Sequence, residues 1–555
     1  MERATSAAER VEAGEQRGLA RRAGVVSAAV FSSRILGVIR EQVFATCFGA
    51  GRELDAFVTA FRIPNLFRDL FAEGALSAAF VTTFAQKLER EGEAAAWRLA
   101  NLVLHALCLV VGAIVLIGMW AAPAIVAVMA PGFADIPGKA ELTAQLTRIM
   151  FPFLLFVALA AVAMGMLNAR GRFGVPASAS SFFNLGSVLG GLGAAWWLAP
   201  AFVARGFGVA TAPLAPGDVE RAIVGMALGT LFGGFLQFVV QVPSLYRLRY
   251  RYEPLLSFRD PGVRQVLALM GPATIGAAAV QVNVLVNTNF ASGLGDGPVS
   301  WLNVAFRFLQ LPIGLFGVAV GVVALPAVSR LAARDDLGAF NRTTARALRL
   351  VLVLCLPASA GLALLAPELI GVVYEHGRFT AYDTQMAAGA LAAYSLGLVG
   401  YANIKVLVPA FYALGDARTP ALVSCLSIAV NALGNWATVE WLGLGHVGLA
   451  LMTAIVATAN FGILFFILTK RVGSFVGLWP ALARITAATA GVALVCVAVK
   501  AAAAAVLAPG WPARAAVLAI AVPASALAFA ALGYALGLEE VQILGSRLRG
   551  RLIRS

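Results

Sequence analysis

The stretch AFRIPNLFRDLF, residues 60–71, decides the fold because it returns as AFRFLQLPIGLF at residues 305–316. The two copies share Ala-Phe-Arg at the start, a central leucine and Leu-Phe at the end, at an offset of 245 residues. Further matches at an offset of 244 are Ala122-Pro123 with Ala366-Pro367, and Ala169, Pro176 and Ala177 with Ala413, Pro420 and Ala421. An offset that stays nearly constant over more than 100 residues indicates an internal repeat.

The composition around these stretches is that of a membrane protein. Of the 555 residues, 60% are hydrophobic and 13% are charged, and the mean hydropathy is +0.85. A soluble globular protein carries about 25% charged residues. Runs such as 102–119 and 515–538 lack the alternation of a barrel strand, so they predict transmembrane helices, which satisfy their backbone groups internally.

We predict an all-α polytopic membrane protein with about fourteen transmembrane helices. The predicted spans are 23–47, 55–86, 99–129, 142–169, 175–200, 222–246, 265–291, 299–329, 345–372, 383–413, 419–441, 445–469, 481–507 and 515–537. The repeat covers six of them, and an even number preserves orientation. The chain should therefore contain two parallel six-helix repeats, which is a transporter architecture with the substrate site expected between two lobes near mid-membrane.

These spans define five predicted segments. They are a cytoplasmic tail at 1–22, an N-terminal six-helix lobe at 23–250, a C-terminal six-helix lobe at 260–471, a helix pair at 478–537 and a basic cytoplasmic tail at 538–555. The helix pair falls outside the repeat and is almost free of charge.

The distribution of basic residues predicts the orientation. Of the 42 Lys and Arg, 28 lie in the two tails and the connections after even-numbered spans, 8 lie at the opposite face and 6 lie at membrane depth. Positive residues stay cytoplasmic, so both termini are predicted inside a bacterial plasma membrane. The net charge of +14 is thereby explained by topology and by anionic lipids, and we expect no nucleic-acid partner.

The charges at membrane depth predict the substrate. They include Arg34, Arg40, Arg62, Arg68 and Arg307, together with Lys405 and the acids Glu41, Asp55, Asp69 and Glu73. One charge at a helix centre costs about 2.5–3.5 kcal/mol, so these side chains should line a wet cavity or pair with one another. Pairing of Arg40 with Glu41 or Asp55, and of Arg68 with Glu73, is the structural alternative. Because bases outnumber acids, we favour an anionic, phosphate-bearing ligand bound by guanidinium groups.

Other kinds of chemistry find no support in the sequence. The five cysteines stand singly in apolar runs, and the three histidines have no metal spacing, with His376 and His446 expected in solvent at helix ends. Gly138-Lys139 lacks the upstream glycines of a phosphate-binding loop. We therefore predict no catalytic residue, no metal and no cofactor. A membrane enzyme acting on polyprenyl phosphates would need acidic metal-binding clusters or a catalytic histidine.

Several local motifs resemble the lipid II flippase family (MurJ/MviN). They include Ser33-Arg34-Ile-Leu-Gly37 with Arg40, Asp55-Ala-Phe57, Ile63-Pro-Asn-Leu66, Phe71-Ala-Glu-Gly-Ala75, Ala130-Pro-Gly-Phe133, Met270-Gly-Pro-Ala273, Gly377-Arg-Phe-Thr380 and Lys405-Val-Leu407. The matches run from about residue 25 to 475. The family belongs to the multidrug, oligosaccharidyl-lipid and polysaccharide exporter superfamily.

The resemblance implies a function and a site. The function is alternating-access movement of lipid II, an undecaprenyl-diphosphate-linked muropeptide, to the outer leaflet for cell-wall synthesis, with membrane lipids and the cell-wall synthesis machinery as further partners. Arg34, Arg40, Arg68 and Arg307 would bind the diphosphate, with Arg62, Asp55 and Glu73 as further site residues, and the C-terminal helix pair would hold the polyprenyl tail.

The sequence departs from the family pattern in three respects, one of which is Gln310, where glutamate is common. The residue before Arg307 is Phe306, where the family often has an acid. Some relatives bind sodium through carboxylates on spans 7 and 11, where this chain has the neutral Asn287, Asn431 and Asn435. The alternatives to lipid II transport are a flippase for another polyprenyl-diphosphate-linked oligosaccharide and a multidrug exporter, although drug exporters favour acids for a cationic ligand.

Overall fold

The computed structural model describes residues 28–68, 77–206 and 214–543, with side chains at all of these positions except 77–78 and 270–280. In these ranges the regular elements are helices. The first ten are α1 (28–48), α2 (Arg52–Arg68), α3 (Ser77–Glu91), α4 (Glu93–Met129), α5 (Lys139–Met150), α6 (Phe153–Ala169), α7 (Gly174–Leu198), α8 (Pro200–Gly206), α9 (Asp218–Val239) and α10 (Val242–Arg247).

The later helices follow with short connections. They are α11 (Pro261–Ser292), α12 (Pro298–Pro312), α13 (Ala319–Ala332), α14 (Leu337–Leu364), α15 (Ala366–Tyr374), α16 (Ala381–Ser395), α17 (Leu398–Ala413), α18 (Arg418–Trp436), α19 (Gly445–Val472), α20 (Leu478–Val506) and α21 (Trp511–Ala535). The all-helical prediction is confirmed by this element order and by the transporter folds reported below.

In the part of the chain that it describes, the structure shows fewer helices that are clearly long and apolar enough to cross a membrane than the fourteen predicted spans. Within the described residues, nine helices or joined helix runs are long and apolar enough to cross a membrane, and the bent pair α16–α17 would make a tenth. The predicted first span begins outside the described residues, and residues 69–76 interrupt the predicted second span. The count of fourteen therefore stays a prediction.

Two of the predicted spans are interrupted in the structure. The predicted span 299–329 is α12 and α13 joined by the π-helical segment Ile313–Val318, which begins directly after Pro312. Proline has no N–H to donate to the preceding turn, so the regular hydrogen-bond pattern is interrupted there. The predicted span 383–413 is bent by 44° between α16 and α17.

Glycine allows α7 and α9 to pack backbone against backbone. A Cβ atom on Gly229 would lie 2.2 Å from the Cα of Gly191, and one on Gly233 would lie 2.5 Å from the carbonyl oxygen of Phe183. In the second half of the chain, a Cβ on Gly321 would lie 2.2 Å from the carbonyl oxygen of Lys405. Glycine at these positions thus allows the close backbone approach that is common between membrane helices.

The chain divides into two compact units, Met1–Gln281 and Val282–Ser555. The division falls within α11. In the first unit, a buried apolar core joins α1, α2, α5 and α9 through residues such as Phe44, Phe57, Leu146 and Met226. The five segments predicted from the sequence remain predictions.

Candidate substrate-binding site

Arg40 on α1 is held between two aromatic rings. Its guanidinium carbon lies 5.8 Å from the ring centre of Phe61 on α2 and 5.2 Å from that of Phe183 on α7. Its Nη2 atom also lies 2.6 Å from Oε1 of Glu41. We call Phe61 and Phe183 the aromatic bracket. A ring face attracts a cation without removing its charge, so the bracket orients the guanidinium and leaves its positive charge in place.

The direction of Arg40 follows from how α1 packs. Asn184 on α7 donates a hydrogen bond of 3.0 Å to the carbonyl oxygen of Ser33, and a Cβ on Gly37 would lie only 3.7 Å from Nδ2 of the same asparagine. Six residues rotate a helix by about 600°, which leaves Arg34 and Arg40 about 120° apart. Accordingly Arg34 is exposed whereas Arg40 is largely buried.

Arg62 and Arg68 lie on α2, on either side of Pro64. Both side chains are half-buried, and each makes polar interactions in the structure. The ring of Phe61, the neighbour of Arg62, packs at a tilt against that of Phe153, with 5.4 Å between the ring centres, and this contact supports one side of the aromatic bracket. Three of the predicted basic residues, Arg40, Arg62 and Arg68, therefore lie on adjoining helices of one unit. The predicted acid Glu73 lies outside the described residues.

Asp55, another predicted site residue, is fully buried and paired. Its Oδ2 atom lies 3.1 Å from Nζ of Lys139, the first residue of α5, and both side chains have no exposed surface. The ammonium group also lies 4.2 Å from the ring centre of Phe133. The structure places this carboxylate in the protein core, and the sequence analysis did not identify its partner.

Arg307 lies on α12 in the second unit with an exposed side chain. The ring of the preceding residue, Phe306, packs edge-on against Tyr394 at 5.4 Å and Tyr401 at 6.5 Å. An aromatic contact thus occupies the position where the family pattern often has an acid, and this neighbour supplies no negative charge to Arg307. Lys405 on α17 is also exposed.

The three asparagines predicted at the sodium positions form one amide network in the second unit. Oδ1 of Asn287 accepts hydrogen bonds from Nδ2 of Asn431 at 2.7 Å and of Asn435 at 2.8 Å, and Nδ2 of Asn287 donates to Thr453 at 3.1 Å. These positions supply neutral oxygens and no carboxylate. Among the described residues, no three His, Cys, Asp or Glu side chains are grouped as a metal site would require. The residues therefore do not fit the carboxylate site of the sodium-binding relatives.

Ion pairs join the last two helices, α20 and α21, to other helices of the second unit. The pairs are Lys500 with Glu368 at 3.1 Å, Arg514 with Glu375 at 2.5 Å, and Arg349 with Glu539 at 3.0 Å. The sequence analysis did not predict these contacts. They anchor α20 and α21 to α14, α15 and the connection after α15.

Long apolar helices that carry arginines within the predicted membrane spans define a polytopic membrane transporter. A family model described as "Lipid II flippase MurJ" matches residues 44–524. This is most of the chain, and the chain belongs to the lipid II flippase MurJ family.

Proteins with assigned names are similar in sequence to this chain along most of their length. A protein of Burkholderia cenocepacia named "Lipid II flippase MurJ" is 35% identical over 450 residues, which are 80% of this chain and 83% of that protein. A "Probable lipid II flippase MurJ" of Rhizobium meliloti is 36% identical over 454 residues, 82% of this chain and 81% of that protein.

Solved structures show the same fold. A structure described as "Lipid II flippase MurJ, inward closed conformation" superposes with a TM-score of 0.72 at 25% identity, covering 92% of this chain and 99% of that one. An inward-facing multidrug resistance MATE family transporter of the MOP superfamily superposes with a TM-score of 0.65 at 13% identity, covering 79% and 94%. The second likeness concerns the fold alone.

Proposed function

We propose that this chain is a flippase that moves lipid II from the cytoplasmic to the outer leaflet of the bacterial plasma membrane by alternating access. The observation that carries the proposal is the match to the Burkholderia cenocepacia protein named lipid II flippase, at 35% identity over 450 residues. The product is delivered to the cell-wall synthesis machinery on the outer face.

The diphosphate of lipid II is the proposed ligand of the arginines. Arg34, Arg40, Arg62 and Arg68 of the first unit and Arg307 of the second each bring a planar guanidinium that can bind phosphate oxygens through two parallel hydrogen bonds. Arg40 supports this role most directly, because its guanidinium lies between the two rings of the aromatic bracket and beside Glu41, which together orient it. Glu73 remains a proposed site residue, whereas Asp55 is given a different role below.

The polyprenyl tail of the substrate is proposed to lie along α20 and α21. A long lipid chain needs an apolar surface that is open to the bilayer, and these helices expose Leu494, Val497, Ile520 and Leu527. The ion pairs of Lys500 and Arg514 hold this surface on the second unit. A tail bound there would thus be carried by a fixed part of that unit.

The proposed orientation supplies a driving force. With both termini in the cytoplasm, an anionic head group leaves a compartment that is electrically negative, which favours export by about 2.3 kcal/mol per net charge per 100 mV. Exposed tryptophans at the predicted outer ends of helices, such as Trp197 on α7 and Trp511 on α21, suit a membrane–water interface.

A depletion experiment tests the function. Cells that lose this protein should accumulate intact lipid II that is inaccessible to a reagent added outside, because synthesis continues while export stops. Loss of lipid II synthesis would instead identify an enzyme of the precursor pathway. Normal export of lipid II, with accumulation of another polyprenyl-diphosphate-linked glycan, would identify a flippase for that glycan.

A further inference from the structure

A fully buried ion pair joins the beginnings of α2 and α5. Asp55 in the first turn of α2 and Lys139, the first residue of α5, are 3.1 Å apart, and neither side chain has any exposed surface. Apolar neighbours of the two helices, including Leu54, Phe57 and Leu142, belong to the same buried core. A lipid head group in a wet site would not reach this carboxylate as the structure stands.

The position of Lys139 at the beginning of α5 is unfavourable for a positive charge unless other groups compensate it. A cation at the beginning of a helix faces the positive end of the helix dipole, which disfavours it. The Asp55 carboxylate and the face of the Phe133 ring, 4.2 Å from the ammonium group, both offset this. Removal of one charge would take this ion-pair partner from the other inside the core, which is far more damaging than removal of both.

The ion pair lies on the helix that carries two of the proposed diphosphate ligands. Arg62 follows Asp55 by seven residues and Arg68 follows it by thirteen, which are distances of about 10 Å and about 20 Å along α2. The contact with α5 therefore fixes one end of α2 at a defined distance from both arginines. Pro64 lies between them, so the segment that includes Arg62 is the one fixed most directly.

We propose that Asp55 and Lys139 are positioning residues that fasten α2 to α5 and so place Arg62 and Arg68 for the substrate, without contacting the substrate themselves. The proposal rests on the proposed function, because those arginines are the proposed diphosphate ligands. A displacement of about 1 Å at a positioned group is enough to cost up to about a hundredfold in rate.

The test compares single and paired substitutions in the full chain. Asp55→Asn and Lys139→Met each leave one buried charge, whereas the pair D55L/K139M leaves none and the exchange D55K/K139D restores an ion pair. We expect each single change to raise the lipid II concentration for half-maximal transport about tenfold or more per folded molecule. The two paired variants should return to within about threefold of the unchanged protein, and Lys139→Arg, which keeps the ion pair, should do the same.

A matched control lies at the same end of α2. Arg52 and Glu220 are 2.9 Å apart, but both are partly exposed, at 29% and 42%. Because exposed ion pairs contribute little, R52Q and E220Q should each stay within about twofold of the unchanged protein. A purely structural role of Asp55 would reduce the amount of folded protein and leave the half-saturating concentration unchanged.

Two results would overturn the proposal. One is that the single variants transport normally. The other is that the paired variants stay as impaired as Asp55→Asn, whether they are folded or not. If the ion pair only positions α2, transport should recover when both charges are removed or exchanged. The melting temperatures of the variants distinguish a failure of the positioning proposal from a failure of the proposed lipid II transport. If the unchanged protein moved no lipid II, the paired variants would still melt higher than the single ones, because that coupling belongs to the ion pair alone.

Discussion

At the scale of single residues, the protein holds buried positive charge in two different ways. Lys139 is compensated by Asp55 inside the core, at 3.1 Å. Arg40 pairs with the carboxylate of its chain neighbour Glu41 and lies against the rings of Phe61 and Phe183. The first arrangement suits a structural contact, whereas the second keeps a guanidinium in a fixed orientation for a ligand.

Substitution of Arg40 tests that distinction. Arg40→Ala should abolish complementation in a depletion strain at normal membrane abundance, and Arg40→Lys should restore it only in part because an ammonium lacks the two-pronged geometry. Arg34→Ala and Arg307→Ala should behave in the same way. Arg221→Ala is the control, because this arginine is 54% exposed beside Asp218 at a helix end. Full function of all three alanine variants would remove the anionic-substrate argument.

The aromatic bracket makes a second prediction at this scale. Phe183→Leu keeps the apolar volume but removes the ring face, which is worth about 0.5–2 kcal/mol to a nearby cation. Lipid II affinity should fall about 2- to 30-fold by the conversion of 1.4 kcal/mol per factor of ten, while Phe183→Tyr should stay near the unchanged protein. Equal affinities in binding assays of the leucine and tyrosine variants would show that the ring is not needed.

The sequence predicts the charged residues of the site better than their partners. The cost of burying charge singles out Arg34, Arg40 and Arg307 without a structure. The partner of Asp55 lies 84 residues away, and its Gly138-Lys139 motif was tested only as a phosphate-binding loop. His446 was expected in solvent, but it is buried against Trp301 with its Nε2 atom 2.9 Å from the carbonyl oxygen of Met386. Such contacts between distant segments leave no local pattern.

At the scale of helices, α7 and α9 form a rigid pair inside the first unit. Their backbones meet at Gly191, Gly229 and Gly233, where the absence of side chains allows contact. Phe183 of the aromatic bracket lies on α7, so this pair also supports the site. Helix packing of this kind replaces the hydrophobic effect, which does not drive association within lipid.

A methyl group at Gly229 should force the two helices apart. Its Cβ would lie 2.1 Å from the backbone nitrogen of Gly191, and backbone cannot rotate away. We expect Gly229→Ala to cost about 1–3 kcal/mol, measured as a lower melting temperature of the purified protein. Gly193→Ala on α7 has nothing within 4 Å and should be neutral or slightly stabilising. Equal melting temperatures for the two variants would contradict the packing.

The helices themselves are largely predictable, but their interruptions are not. Apolar run length marks α4, α19, α20 and α21 to within a few residues. The π-helical segment at Ile313–Val318 and the 44° bend between α16 and α17 lie inside continuous apolar runs. Hydropathy gives only the average polarity of a span, so it does not predict these interruptions.

At the scale of the whole molecule, the sequence repeat and the division of the chain into two compact units agree with each other. The sequence copies at 60–71 and 305–316 fall one in each of the two compact units. The fold is shared with transporters at 13% identity, so it does not by itself define the substrate. The assignment of the substrate rests on family membership and on the basic residues in the predicted membrane spans.

Topology is a prediction of the whole chain. The excess of 28 over 8 basic residues predicts that both termini lie in the cytoplasm. A reporter that is active only outside the plasma membrane should therefore be silent when fused after Ser555, and the same reporter inserted near Gly377, between α15 and α16, should be active. Activity at the carboxyl terminus would contradict the even number of spans.

Reconstitution of the purified full chain with lipid II in sealed vesicles tests the central claim most directly. The fraction of lipid II that an external, membrane-impermeant enzyme can modify should rise with time only when the protein is present. It should stay at the protein-free level with Arg40→Ala. Transfer at the same rate with and without the chain, or transfer undiminished by Arg40→Ala, would contradict the account.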